Sequence, residues 1–222
     1  MRGRFITFEG GEGTGKSTHA ALLAQKLGTL GIAVLLTREP GGSPGAEIIR
    51  HVLLSGAAKP LGATVEAILF AAARDDHIRN TIMPALTAGR WVICDRFTDS
   101  TQVYQGALGG VDQKFLRALE RVTVGDLKPD LTFVLDTPVE VGMSRAEQRR
   151  GDRAGDRFES ESKDYHEKLR DAFRMLALGE PNRCVLIDAN GTRSDVADQI
   201  WAVVNKRLDP AMAPVALEGL AS

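Results

Sequence analysis

The residues best suited to chemistry lie near the start of the chain, at positions 10–17, which read GGEGTGKS. This is the G-x-x-x-x-G-K-[ST] spacing of a phosphate-binding loop. Its glycines let the backbone wrap around a triphosphate with successive N–H groups pointing inward, and the following helix adds its positive N-terminal end. Lys16 would reach the β- and γ-phosphates, and the Ser17 hydroxyl would ligate Mg²⁺. The loop therefore predicts a site for a nucleoside triphosphate with Mg²⁺.

The sequence on either side of the loop supports this prediction. Residues 4–8, which read RFITF, form a short apolar run typical of a strand. Residues 18–27 repeat apolar side chains at helical spacing. The alternative is a glycine-rich turn that matches the pattern by chance. The strand and the helix disfavour that alternative because a phosphate loop needs both.

Two further strand ends carry aspartates that could support the metal. Asp95 and Asp136 each follow an apolar run, and either could be the acid that holds Mg²⁺ in an enzyme with a phosphate loop. Asp95 is followed at once by Arg96, a pairing that suits a site for a metal and a second phosphate group. The alternative for that pair is an ion pair that caps a loop. Asp136 precedes Thr137 and Pro138, a pattern more typical of a helix N-terminus with Asp or Thr as the N-cap.

Arginines crowd one later segment, around Gly151 and Gly155. They are Arg145, Arg149, Arg150, Arg153 and Arg157. Such a charge run is usually a solvated helix end. The alternative is a mobile lid that brings cations onto a transferring phosphoryl group and excludes water.

The elements that must position these residues alternate along the chain. Five nearly continuous apolar runs predict strands at residues 4–8, 34–38, 91–95, 131–136 and 184–188. Helical patterns occupy about residues 16–30, 45–54, 64–88, 112–124, 139–148, 158–178 and 194–207. This alternation predicts a three-layer α/β fold of the P-loop NTPase type, with a five-stranded parallel sheet flanked by helices. Functional residues are then expected at the carboxyl ends of the strands.

The length of 222 residues and the composition fit one globular domain. We expect a single P-loop domain over residues 1–208, with a short mobile lid at about 145–157 and a C-terminal tail at 209–222. Lys plus Arg is 28 and Asp plus Glu is 29, so the net charge is −1, which argues against a dedicated nucleic-acid binder. No apolar stretch reaches the length of a membrane span. Cys94 and Cys184 fall in predicted strands, which favours buried free thiols over a disulfide or a metal pair.

Four segments, in family order, resemble the thymidylate kinase (dTMP kinase) family of bacterial type. They read FEGGEGTGKST at 8–18, TREPGGS at 37–43, LFAAARDDH at 69–77 and ICDRFTDSTQVYQG at 93–106. The resemblance runs from about residue 4 to 190. It implies a P-loop nucleoside monophosphate kinase that transfers the γ-phosphoryl group of ATP to dTMP, giving dTDP and ADP. ATP and Mg²⁺ would then lie on Gly10, Gly11, Glu12, Gly13, Thr14, Gly15, Lys16, Ser17 and Thr18.

The same resemblance implies a dTMP site on Glu12, Arg38, Phe70, Arg74, Arg96, Ser100, Tyr104 and Gln105. The three arginines would bind the 5′-phosphate, a task for bidentate cationic donors. Phe70 would stack on the thymine ring, and the hydroxyl and amide of Ser100 and Gln105 would bond to base edges. Tyr104 would pack against the deoxyribose, and Glu12 would accept from its 3′-hydroxyl. The alternatives are a core side chain for the phenylalanine and helix-surface polar groups for the serine and the glutamine.

The resemblance also implies how the phosphoryl group is transferred. Lys16, Arg96 and Asp95 would act at the reacting phosphates, with the aspartate holding Mg²⁺ through water. The loop carries Glu12 and no arginine, which resembles the bacterial type, in which the lid supplies the catalytic arginine. Arg153 is the first candidate, with Arg149 and Arg150 next.

The sequence also admits two rival functions. The first is a kinase for another nucleotide or nucleoside, and a nucleoside kinase would prefer a carboxylate base near an acceptor hydroxyl over three phosphate-binding arginines. A nucleotide-binding switch would bind ATP or GTP without acceptor-dependent turnover, and the guanine-reading N-K-x-D motif is absent from the sequence. The resemblance favours a cytoplasmic homodimer with no nucleic-acid or membrane partner, and the apolar run at 64–73 suits a helix face beyond one core's needs.

Overall fold

The computed structural model describes residues 2–151 and 157–210, and its centre is a five-stranded parallel sheet. The strands are β1 (Phe5–Glu9), β2 (Val34–Arg38), β3 (Trp91–Asp95), β4 (Leu131–Asp136) and β5 (Cys184–Asp188). Their order across the sheet is β2-β3-β1-β4-β5. The five predicted strands and the parallel sheet are confirmed, with β1 placed one residue later than its apolar run suggests.

Helices cover the sheet on both sides. They are α1 (Lys16–Thr29), α2 (Pro44–Leu54), α3 (Gly62–His77), α4 (Met83–Thr87), α5 (Thr98–Thr101), α6 (Gln113–Thr123), α7 (Val139–Arg150), α8 (Lys163–Gly179) and α9 (Arg193–Leu208). A 3₁₀ turn, Lys59–Leu61, precedes α3. π-helical segments, Ile78–Ile82 and Gln102–Leu108, connect α3 to α4 and extend α5. Such segments interrupt the regular ladder and are frequent at functional sites.

One predicted helix begins later in the structure than expected, and one further helix was not predicted. The pattern at 158–178 predicts a helix from residue 158, but α8 begins at Lys163, where the Ser162 hydroxyl caps it by accepting from the Tyr165 N–H. The helix formed by α5 and its π-helical extension was not predicted. Its sequence includes Asp99, Val103, Gly106 and two threonines, residue types with a weak helical propensity, so tertiary contacts contribute to its conformation.

The predicted N-cap at Asp136 or Thr137 is wrong. The N-cap position of α7 is Pro138, and no side chain caps the helix. Asp136 instead accepts from Arg170 Nε at 2.7 Å and Nη2 at 3.0 Å. A bidentate guanidinium bond is stronger than a cap to a backbone N–H, which explains the preference.

The register of the sheet brings the polar strand ends together. Asp95 pairs in register with Phe8 of β1 and with Arg38 of β2. Because all strands are parallel, their carboxyl ends meet at one edge of the sheet, where ligands bind in open α/β folds. The phosphate loop follows β1 at this edge.

The core has a layer on each face of the sheet because successive strand residues point to opposite sides. Ile6 and Phe8 pack with Leu23 of α1 and Ile200 of α9 on one face. On the other face, Phe5 joins a second buried cluster. It contains Val92, Cys94 and Phe97 with Ile82 and Leu86. Two rigid packed layers hold the loop ends in place.

Among the described residues, no single helix is long and apolar enough to cross a membrane. Pro44–Leu54 and Lys59–Thr87 reach that length and composition only as a pair bent by 81°. Most of the predicted tail, residues 211–222, lies outside the described residues.

Candidate active site

The loop between β1 and α1 has a backbone that requires glycine. Gly10, Gly13 and Gly15 have φ values of 131°, 68° and 91°. A Cβ at Gly13 would lie 1.8 Å from the Gly142 carbonyl oxygen of α7. No other residue fits these conformations without strain, which is why the sequence spacing predicts the loop so well.

Lys16 is the first residue of α1 and folds back over the loop. Its Nζ donates to the Gly11 carbonyl oxygen at 2.6 Å, and the side chain is buried. Burial and the nearby Arg96 guanidinium lower the pKa of Lys16 to about 8. Glu12, Asp95 and Glu9 offset this only in part, and a phosphate group in the loop would add further opposite charge.

Ser17 and Asp95 form the candidate metal site. The Ser17 hydroxyl donates to Asp95 Oδ2. The other carboxylate oxygen, Oδ1, is buried and accepts no hydrogen bond from the described part of the chain. A hydroxyl beside a carboxylate with an unused oxygen fits a hard cation that keeps several waters. The chemistry of these two side chains therefore fits Mg²⁺.

A cavity of about 370 Å³ opens from the loop. It brings together most of the predicted site residues, namely Glu12, Gly13, Gly15, Lys16, Ser17, Thr18, Arg38, Phe70, Asp95, Arg96, Ser100, Tyr104, Gln105 and Arg149. The remaining loop residues, Gly10, Gly11 and Thr14, are not on its wall, and neither is Arg74. The cavity thus joins the loop to the aromatic and amide side chains of α3 and the α5 extension.

Arg96 lies between the two ends of the cavity. Its Nη2 donates to Glu12 Oε1 at 2.6 Å, and its Nη1 donates to the Gly10 carbonyl at 3.2 Å and the Ser100 hydroxyl at 3.1 Å. The guanidinium carbon is 5.1 Å from the centre of the Tyr104 ring. Burial lowers the pKa of Arg96, but the tyrosine, Glu12 and other acidic neighbours raise it overall. Arg96 is therefore a fixed cation at the centre of the site.

Glu12 is a fixed anion beside it. Its Oε1 accepts from Arg96 and, at 2.9 Å, from the Tyr104 hydroxyl. Burial raises the pKa of Glu12, but Arg96 and Lys16 outweigh burial and lower the pKa to about 2. The carboxylate stays ionised at neutral pH and is an acceptor facing the cavity.

The Ser100 hydroxyl is already engaged with protein groups. It donates to Glu9 Oε2 at 2.6 Å and accepts from Arg96. Glu9 is fully buried, and burial together with Asp99 raises its pKa to about 7. In this arrangement Ser100 has no second proton for a base edge, and it orients Arg96 instead.

Arg74 is buried behind the cavity wall. Its Nε donates to Glu39 Oε2 at 2.7 Å, and its Nη2 donates to the Phe97 carbonyl at 3.1 Å and to Thr101 Oγ1 at 3.2 Å. Of the three arginines expected at a substrate phosphate, the structure therefore brings Arg38 and Arg96 to the cavity and leaves Arg74 in an ion pair behind it. Sequence position alone does not distinguish these two environments.

Phe158 is a residue of the site that the sequence did not indicate. It is buried on the cavity wall, with its ring centre 5.1 Å from Tyr104 and 6.2 Å from Phe70. The only signal in the sequence is its place directly after the arginine-rich segment. Three aromatic rings from three elements thus form one end of the cavity.

Cys94 and Cys184 are both buried and free, as predicted. Cys94 lies close enough to Glu39 and His77 for the three to share a metal ion. Their polar groups already have partners, however. His77 bonds to Glu39 and to Thr37, and the Glu39 carboxylate also accepts from Arg74. Because a guanidinium already neutralises the carboxylate, this cluster is a hydrogen-bonded support of the cavity wall, which Glu39 lines.

Comparisons with known proteins agree with this geometry. The sequence model of the family Thymidylate kinase matches residues 8–200. The chain is 60% identical over 212 residues to thymidylate kinase from Bradyrhizobium sp. (strain ORS 278), which covers 96% of this chain and 94% of that protein. It is 61% identical over 208 residues to thymidylate kinase from Rhodopseudomonas palustris (strain BisB18), covering 93% and 90% of the two chains. The chain belongs to the thymidylate kinase family.

The fold agrees as well. The crystal structure of thymidylate kinase from Ehrlichia chaffeensis is similar with a TM-score of 0.73 and 32% identity, covering 92% of this chain and 99% of that one. Members of this family are ATP-dependent nucleoside monophosphate kinases. The two rivals, a nucleoside kinase and a nucleotide-binding switch, are therefore set aside.

The lid expected in this thymidylate kinase family member lies only partly within the described residues. Arg149, at the end of α7, lines the cavity and donates to Glu159 Oε1 at 2.7 Å, and Arg150 pairs with the same carboxylate at 3.7 Å. Arg153, the first candidate for the catalytic arginine, lies outside the described residues. The segment that follows begins at Arg157, whose Nε donates to Glu66 of α3 at 2.8 Å.

Proposed function

We propose that the cavity is the active site at which this member of the thymidylate kinase family transfers the γ-phosphoryl group of ATP to the 5′-phosphate of dTMP, giving ADP and dTDP for dTTP biosynthesis. One observation carries the assignment. A single cavity connects the phosphate loop to a second end, which Phe70 and Gln105 line. Arg96 lies between the two ends. That arrangement suits two nucleotides bound with their phosphates facing each other.

The ATP end consists of the loop and the start of α1. Backbone N–H groups of the loop and the N-terminus of α1 would cradle the β- and γ-phosphates, with Lys16 as the side-chain cation. Ser17 and Asp95 would hold Mg²⁺, which supplies charge neutralisation on the phosphate oxygens. Support comes from the buried, unused Oδ1 of Asp95.

The dTMP end lies between α3 and the α5 extension. Phe70 would stack on the thymine ring, and Gln105 would bond to a base edge. Arg38 and Arg96 would bind the 5′-phosphate, with Arg74 supporting them from behind through Glu39. Ser100 would act through Arg96. The Glu12 carboxylate would accept from the sugar 3′-hydroxyl beside Tyr104, since its low pKa keeps it an acceptor.

Phosphoryl transfer needs little covalent help from the protein, so catalysis consists of positioning and charge neutralisation. Lys16 and Arg96 would face the reacting phosphates. The lid would add a further arginine, with Arg153 as the first candidate and Arg149, already on the cavity wall, as the second. No protein nucleophile is needed, since the acceptor phosphate is itself anionic.

We also propose that the protein works as a homodimer in the cytoplasm. Helices α2 and α3 pack side by side, and they and the 3₁₀ turn before α3 carry exposed apolar side chains, with Ile48 71% exposed, Leu61 61% and Ile68 43%. Exposed apolar surface of this kind is typical of permanent homodimer interfaces. Two free cysteines suit a reducing compartment.

A coupled ADP-release assay over a panel of nucleoside monophosphates tests the proposed activity. The expected result is turnover with dTMP that depends on Mg²⁺ and far exceeds turnover with AMP, GMP or CMP. Equal turnover of dTMP and AMP, or none with either, would contradict the proposal. A parallel assay without an acceptor measures background ATP hydrolysis.

A further inference from the structure

Glu66 is a buried carboxylate that has no part in the reaction described above. It lies on α3, one helical turn before Phe70, and is only 3% exposed. Arg157 Nε donates to its Oε1 at 2.8 Å, and Gln105 Nε2 donates to its Oε2 at 3.4 Å. Both Glu66 oxygens thus accept hydrogen bonds from N–H donors, and a carboxylate has no proton to donate in return.

The contact with Glu66 determines which end of the Gln105 amide faces the cavity. A carboxamide has a donor end and an acceptor end, and a half-turn of the amide exchanges them. Only the NH₂ end is attracted to a carboxylate, so the carbonyl oxygen is the end that remains. That oxygen accepts no hydrogen bond from the described residues, and Gln105, although only 2% exposed, lines the cavity. It is therefore the atom that meets a bound molecule.

We propose that Glu66 is a positioning residue that sets the base specificity of the site, because it fixes Gln105 as a hydrogen-bond acceptor. An acceptor selects a pyrimidine whose ring N3 carries a hydrogen, as in thymine and uracil. Cytosine has an unprotonated nitrogen at N3, so two acceptors would face each other. The inference rests on the proposed placement of the base beside Phe70 and Gln105.

Fixing the amide is what creates the discrimination. A glutamine that turns freely offers either end to the ligand, so it bonds to cytosine as well as to thymine. A fixed carbonyl leaves cytosine N3 buried without a donor, and a buried polar group without a partner is costly. Specificity of this kind comes from an unfavourable contact with the wrong base as much as from a good contact with the right one.

The test compares two nucleotide substrates, dUMP and dCMP. Their bases differ only at the edge that carries ring N3 and the group on C4. kcat/KM is measured for both, and for dTMP as the reference, in the wild-type chain and in Glu66→Gln. The dUMP:dCMP ratio of kcat/KM is expected to fall about tenfold, since an amide at position 66 permits either orientation of Gln105. An unchanged ratio would overturn the proposal, even if both values of kcat/KM fall together.

Glu161→Gln is the matched control. Glu161 also accepts from Arg157, at 2.9 Å from Nη1, so this variant makes the same chemical change on the same arginine without touching Gln105. It is expected to leave the dUMP:dCMP ratio within twofold of the wild type. A tenfold fall in the control would overturn the proposal, because the effect would then arise from the arginine.

Gln105→Met gives a second, independent test that does not depend on the folding of Glu66→Gln. It removes the acceptor and should lower the same ratio about tenfold, and Glu66→Gln should add no further change in this background. A further fall of the dUMP:dCMP ratio in the double variant would show that Glu66 does not act through Gln105, and it would overturn the proposal. If Phe70→Ala raises the KM for dTMP but Gln105→Met leaves the dUMP:dCMP ratio unchanged, the proposed site is supported and this inference is overturned. Absence of dTMP turnover by the wild-type chain would overturn both.

Discussion

At the scale of single residues, Arg96 is the point where the two halves of the cavity meet. Its φ of 71° is in the left-handed region, which costs a non-glycine residue on the order of 1 kcal/mol. The bonds to Glu12 and to the Gly10 carbonyl hold it there. Because the guanidinium is anchored to the phosphate loop before any ligand arrives, its position needs no reorganisation when charge develops.

Lys16→Ala should leave the fold intact and remove phosphoryl transfer. The ammonium group contacts charge that develops in the transition state, so we expect kcat to fall by roughly a thousandfold or more. Steady-state kinetics and a thermal unfolding curve measure the two properties. Lys128→Ala, at an exposed lysine, is the control. Near-normal kcat in Lys16→Ala would show that the loop is not catalytic.

The lowered pKa of Lys16 predicts that ATP binding takes up a proton in mildly alkaline solution. The side chain titrates at about 8 before binding, whereas the phosphates favour its charged form. Near pH 8.5 a fraction of the lysine is neutral and must gain a proton when ATP binds. At pH 6.5 it is already charged, so this lysine takes up none. Calorimetry in buffers of different ionisation enthalpy measures the uptake, and equal heats in all buffers at pH 8.5 would contradict this assignment.

At the scale of elements, α7 ends in arginines that are tied to the segment beyond the lid. Arg149 and Arg150 share Glu159, and Arg157 holds the same segment to α3 through Glu66. These ion pairs fix both sides of residues 152–156. The described residues on the two sides of 152–156 are therefore tied to each other and to α3.

Arg153→Ala should lower kcat strongly and change the KM for dTMP little, because a lid arginine acts on the transferring group rather than on bound dTMP. Arg149→Ala and Arg150→Ala are expected to have smaller effects. Arg153→Lys should recover activity only in part, since a point charge does not reproduce the planar fork. Arg117→Ala, at an exposed arginine of α6, is the control. Normal turnover of all three alanine variants would contradict the lid mechanism but not the family assignment.

The elements also explain which parts of the site could be predicted. The loop and the strand ends follow from local spacing, so Lys16, Ser17 and Asp95 could be found from the sequence. Phe158 and Glu66 could not, because their roles depend on contacts with residues far away in the chain. Glu66, for example, meets Arg157, 91 residues later. The sequence also predicts that α8 begins too early. Phe158 instead packs against Tyr104 from a turn before the helix, a contact that the local sequence does not show.

At the scale of the whole molecule, the apolar face of α2 and α3 predicts self-association. Ile48→Asp should convert a dimer into a monomer, because a charge in a desolvated interface is unpaired. Sedimentation equilibrium measures the mass. Met175→Asp, at a residue of α8 that is 67% exposed and outside this face, should stay dimeric. A monomeric wild-type chain, or a dimeric Ile48→Asp variant, would contradict the prediction.

One cavity is proposed to hold ATP at the loop and dTMP at the aromatic end, and the kinetics of Phe70→Ala test this placement most directly. Stacking on a base contributes about 1–3 kcal/mol, so the KM for dTMP should rise by roughly 5-fold to 150-fold. The KM for ATP should stay within about twofold of the wild type, since the loop lies at the other end of the cavity. Equal increases in both KM values would indicate a packing role for Phe70, and no increase in either would contradict the placement of dTMP.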